Sequence, residues 1–180
     1  LAAGATHYTH PLGLPELRKA IAENIAAHGG GRYAPEDIVV TPGAQQAMFI
    51  LALGLLDPGD ELLVPCPGYN PYLQAAELTD AVVVHIRTTS ATNFTLTADM
   101  VREHISPRSK ILTLINPGNP TGTVIPPDEV ARICEVAREH DLIVVSDEIY
   151  ARLTYGNHSA QPVAALPGMM ERTFTLSGLS

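Results

Sequence analysis

Short runs of β-branched and leucine residues recur along the chain, separated by segments with helical spacing. Leu142, Ile143, Val144, Val145 and the small Ser146 form one run, and Lys110 to Ile115 (KILTLI) another. Glu61 to Val64, Ala81 to Ile86 and Thr173 to Ser177 read the same way, with a shorter candidate at Asp37 to Thr41. Near-continuous apolar runs of this length suit strands covered on both faces, the habit of parallel sheets. The segments between them predict helices. Pro15 opens one at a position where its missing N–H costs nothing, with Leu14, Leu17, Ile21 and Ile25 on one stripe. A second follows Pro42-Gly43-Ala44-Gln45 and runs to about Leu56, and a third goes from Tyr69 to about Leu78. Thr97 is placed to cap a short helix carrying Val101 and Ile105, and Asp128 to His140 buries Val130, Ile133, Cys134 and Ala137. Strands alternate with helices throughout, so the expected class is α/β: a mostly parallel sheet flanked by helices on both faces.

Composition narrows the picture. With 180 residues the chain is about one domain long. Its 19 acids and 11 bases leave a formal charge of −8, which argues against a nucleic-acid surface with its clustered basic face. No apolar run reaches the roughly 18 residues of a membrane span, and no basic-then-apolar leader is present. Cys66 and Cys134 stand far apart, so a reducing cytoplasm is expected. The seven histidines show no metal-ligand spacing, and no metal site is expected. The run that ends at Ser180 reads as part of a longer protein.

The chemistry-bearing residues fall where strands end. In an α/β sheet ligands bind outside the carboxyl ends of the strands. Gly43, Ala44 and Gln45 lie at a strand-to-helix junction, where backbone N–H groups and a helix N-terminus can hold an anion. Tyr69 follows the rigid Pro65-Cys66-Pro67-Gly68 exit, and Asn119 sits in the stiff NPGNPTG loop, residues 116–122. Asp147 and Tyr150 leave the Leu142 run together, and Ser177 to Ser180 lie at the end of the last strand. Neither the G-x-G-x-x-G fingerprint nor the G-x-x-x-x-G-K-[ST] phosphate loop is present. An anion cradle, an aromatic plate, an amide, a carboxylate and a phenol suit a flat, phosphorylated aromatic ring.

These motifs carry a resemblance. The Y-x-x-x-x-G-x-x-x-L-R run from Tyr8 to Arg18, TPGAQQA (41–47), LDPGDELLVPCPGY (56–69), NPGNPTG (116–122) and SDEIY (146–150) resemble the large domain of class I/II, fold-type I aminotransferases dependent on pyridoxal phosphate. The match covers essentially the whole chain in the family's order, so residues 1–180 are expected to be an incomplete cofactor-binding large domain. The resemblance implies amino-group transfer between an amino acid and a 2-oxo acid. Two alternatives keep the same fold: a carbon–sulfur lyase, and the effector-sensing domain of a transcription regulator. By the same resemblance Asp147 pairs with the cofactor's pyridinium nitrogen, and Tyr150 and Asn119 bond its 3-oxygen. Tyr69 stacks on the ring, while Gly43, Ala44 and Gln45 cradle the phosphate. Tyr8 reaches the phosphate of a neighbouring subunit, implying a homodimer, and Cys66–Pro67 and Asn119–Pro120 are the expected cis peptides. One departure stands out: many relatives carry a phosphate-binding serine where this chain has Gly178, which leaves Ser177 and Ser180 as substitutes. The family's Schiff-base lysine is expected directly after Ser180.

Overall fold

Five of the apolar runs pair into one parallel sheet in a computed structural model that describes residues 2, 4 and 6–178. The strands are β1 (Glu61–Cys66), β2 (Val82–Arg87), β3 (Ser109–Ile115), β4 (Ile143–Asp147) and β5 (Thr173–Leu176), in spatial order β2-β1-β3-β4-β5. The helices are α1 (Pro15–Ala27), α2 (Gly43–Leu55), α3 (Pro71–Glu77), α4 (Ala98–His104) and α5 (Pro127–Glu139). Side chains alternate across a strand, so each strand feeds two cores. Leu62, Val64, Ile111, Ile115 and Val145 pack with Met48, Ala52, Tyr72 and Ala75 of α2 and α3. Leu63, Leu112, Leu114 and Val144 pack with Val101, Val130, Ile133 and Cys134 of α4 and α5. Both faces are covered, which is why these strands read as unbroken apolar runs. Thr97 caps α4 as its sequence predicts, its hydroxyl accepting from the Met100 N–H at 3.3 Å.

The described residues form two compact units, Leu1–Pro42 and Gly43–Ser180. In the first, Arg18 and Ala22 are the buried positions of α1, and the Arg18 guanidinium donates to the Pro35 carbonyl at 3.2 Å. Leu14, expected on the buried stripe, instead precedes the helix and is half-exposed. The strand expected at Asp37 to Thr41 also does not form. Pro35–Asp37 is a 3-10 turn, and the extended backbone after it has no sheet neighbour among the described residues. Its Val40 N–H bonds the Leu12 carbonyl at 3.0 Å instead.

Connection lengths in the second unit set the direction of its helices. The 13 residues of α2 span about 20 Å, and only the turn at residues 56–60 separates them from β1. Helix α2 therefore runs antiparallel to β1, with its N-terminus at the carboxyl edge of the sheet. Regular helix in α3 starts at Pro71 rather than Tyr69, proline being at home in a first turn, and Tyr69 is left in the turn before it.

Candidate functional site

The carboxyl edge of the sheet gathers most of the expected residues of the second unit on the face covered by α2 and α3. Asp147, the last residue of β4, points to that face and is only 4% exposed. Its Oδ2 accepts from the Tyr72 hydroxyl at 3.1 Å and its Oδ1 from the Ile149 N–H at 3.2 Å. Burial holds this carboxyl above the usual carboxylate range; the bonds from Ile149 and Tyr72 offset that only in part. No lysine, arginine or histidine nitrogen pairs with it among the described residues. A buried carboxylate with two donors and no cation is an environment that a cationic ring nitrogen completes.

Tyr72 is the residue that sequence reasoning missed. It lies in the first turn of α3, buried against the sheet, and burial followed by the Asp147 charge pushes its phenol well above the ordinary value. It is therefore a neutral donor at any working pH. The signal was present, since Tyr72, Ala75 and Ala76 make one apolar helix face and a phenol on such a face needs a polar partner. Tyr69 stands edge-on to Tyr72, with ring centroids 6.5 Å apart and planes at 79°. The turn that aims Tyr69 depends on Gly68, where an added Cβ would sit 2.2 Å from the Pro65 carbonyl oxygen.

Asn119 stands in the loop that follows β3. That loop is closed by Gly118 N–H donating to the Thr123 carbonyl at 2.9 Å and Gly122 N–H to the Gly118 carbonyl at 2.8 Å. The buried Asn116 side chain braces it, accepting from the Ile125 N–H at 3.0 Å. Cys66–Pro67 and Asn119–Pro120 are cis as expected, and Asn116–Pro117 is a third cis bond that was not expected. Gly43 opens α2 at φ +80° with open space where a Cβ would stand, and Gln45 beside it is exposed. The amides of Ala44 and Gln45 belong to the first helical turn, which has no intrahelical acceptor for its N–H groups and carries the positive end of the helix dipole. A helix start of this kind is where anions are held.

The remaining expected residues are less closely held. Tyr150 lies in the turn after β4 and is 37% exposed. Ser177 is exposed one residue past β5, and Ser180 lies outside the described residues. Tyr8 is fully exposed in the first unit. The described residues contain no cluster of three metal-ligating side chains. No helix among them is long and apolar enough to cross a membrane.

Comparison with known proteins follows the same line. The family model for aminotransferase class I and II matches residues 2–180. An aspartate aminotransferase of Musicola paradisiaca is 40% identical over 178 residues, covering 98% of this chain and 44% of that protein. The aspartate/prephenate aminotransferase of Thermus thermophilus is 39% identical, covering 99% of this chain and 46% of that protein. Among solved structures, the aromatic aminotransferase of Pyrococcus horikoshii superposes with a TM-score of 0.96 at 36% identity, over 99% of this chain and 48% of that one. The aspartate aminotransferase of Thermus thermophilus with maleate gives 0.93 at 38%, over 99% and 46%. This chain thus spans less than half the length of these relatives.

Proposed function

The chain belongs to the class I and II aminotransferase family, and from that premise we propose that the full-length protein moves an amino group between an amino acid and a 2-oxo acid with pyridoxal phosphate as cofactor. The observation that carries the reading is Asp147: a buried carboxylate, oriented by Tyr72 and with no cation beside it among the described residues, on the face and edge where α2 begins. When bound, the cofactor supplies a protonated ring that withdraws electrons from the substrate's α-carbon. Asp147 holds the proton at the ring nitrogen, because a carboxylate stabilises the cation beside it. Tyr69 covers one ring face and fixes its plane. Tyr150 and Asn119 donate to the ring's 3-oxygen. Gly43, Ala44 and Gln45 bind the phosphate through backbone N–H groups, and Ser177 and Ser180 are the candidates for a hydroxyl contact to it. Tyr8 serves the phosphate site of a second copy, so the working form is a homodimer. The two cysteines, both free, are in keeping with a reducing cytoplasm.

The names of the relatives favour a dicarboxylic amino acid as donor. The test is the absorbance of the full-length protein with pyridoxal phosphate, recorded before and after aspartate, glutamate and a panel of other amino acids. Conversion to the spectrum of pyridoxamine phosphate with aspartate or glutamate is the expected result. A cofactor that binds but is never converted by any amino acid would overturn the transferase reading.

A further inference from the structure

Glu148 follows Asp147 in the chain but serves the opposite face of the sheet. Its Oε1 accepts from the Ser146 hydroxyl at 2.8 Å and from the Val163 N–H at 3.2 Å. Val163 opens a 3-10 turn, Val163–Ala165, and is buried in the core shared with α5. The chain therefore leaves the end of β4, runs out through residues 149–162 and returns to Glu148. A surface loop of about 14 residues whose ends meet is a recognised compact unit, held at its neck. Leu153 and Tyr155 are 59% and 81% exposed. The backbone bonds inside the loop are those of tight turns, such as Leu153 N–H to the Tyr150 carbonyl at 2.8 Å. Tyr150 is the second residue beyond the neck.

We propose that Glu148 is a positioning residue: its side chain closes the neck of the 149–162 loop and so fixes Tyr150 and the Asp147 backbone for the cofactor. The proposal rests on the pyridoxal-phosphate reading above. What the neck uses is an acceptor oxygen, since both partners are neutral donors, so an amide serves where a methyl does not. Glu148→Gln keeps one oxygen for Ser146 and Val163, whereas Glu148→Ala leaves both donors without it.

The experiment uses the full-length protein and two independent readouts. In the cofactor-free form, Glu148→Ala is expected to speed amide hydrogen exchange at residues 149–153 and 163–165, and Glu148→Gln to leave it as in the wild type. In the loaded form, Glu148→Ala is expected to weaken pyridoxal phosphate binding and lower kcat by about 100-fold with little change in KM, since a small misplacement of a reacting group costs that much. Glu148→Gln is expected to restore both. If Glu148→Ala does not fold, Ser146→Ala removes one of the two donors and is expected to give a partial shift of the same readouts. Equal losses for Gln and Ala, or unchanged exchange and affinity in both Ala variants, would overturn the proposal. A wild-type protein that binds no cofactor would sink the functional reading instead, and the exchange data would still decide the neck.

Discussion

The Tyr72 hydroxyl donates to a carboxylate that no cation among the described residues neutralises, so its removal is felt twice. Tyr72→Phe keeps the packing but deletes a bond to a charged group, an interaction worth about 1.5–3 kcal/mol. We expect pyridoxal phosphate affinity to fall by about tenfold or more. Tyr72 also works to lower the Asp147 pKa against the dominant effect of burial. Its loss therefore raises that pKa further, and the acid limb of cofactor binding moves to higher pH. Binding titrations across pH that match wild type would remove Tyr72 from the site. At this scale the sequence was legible where chemistry and position coincide. Asp147 and Tyr69 stood out as polar or aromatic residues at strand ends. Tyr72 did not, because it sits inside a helix among alanines and its partner is 75 residues away in the chain. A contact between α3 and β4 exists only once the sheet has formed.

Strand and helix identities were legible wherever both faces of an element are covered. The Ile111–Ile115 and Leu142–Val145 runs could bury nowhere but in a doubly covered sheet, and they do. The segment at Asp37 to Thr41 failed for a reason no local pattern contains: extended backbone becomes a strand only beside a partner. Turns were legible as stiffness but not as geometry. The P-C-P-G stretch predicts a rigid exit from β1, yet the need for glycine at position 68 comes from the Pro65 carbonyl folding back over it. Gly68→Ala forces that oxygen and the new Cβ apart, at a cost of about 1–3 kcal/mol typical of overpacking. The expected outcome is a lower urea midpoint together with weaker cofactor binding, because the turn carries Tyr69. Unchanged stability would mean that the turn relaxes freely and does not aim the ring.

Over the whole molecule, the two ends of the sheet treat carboxyl groups in opposite ways. At the amino edge Glu61 is buried, but the Ser106 and Ser109 hydroxyls and Arg108 converge on it and together outweigh the desolvation, holding it below its ordinary 4.5. It contributes stability above that value, lost as pH falls through the lowered one. At the carboxyl edge burial raises Asp147 above 3.8 and Glu148 above 4.5. Between the unfolded and the raised values the folded protein holds a proton that the unfolded chain has released. Stability therefore falls as pH rises through that window, and the full penalty persists above it. The edge with the candidate site is the one that carries the penalty, as expected where function requires a charge that folding alone does not favour. Asp147→Asn tests this directly, since the amide keeps an oxygen for the Ile149 N–H and turns its NH2 toward the Tyr72 hydroxyl oxygen, which can accept, without the charge. In the cofactor-free protein we expect a higher urea midpoint than wild type at neutral pH, with the advantage gone near 3.8, where the unfolded carboxyl itself takes up a proton. Pyridoxal phosphate should reverse the order, stabilising wild type more than the variant by mass action. A variant less stable than wild type at neutral pH without cofactor would mean that the Tyr72 and Ile149 bonds outweigh burial, and that Asp147 belongs to the scaffold.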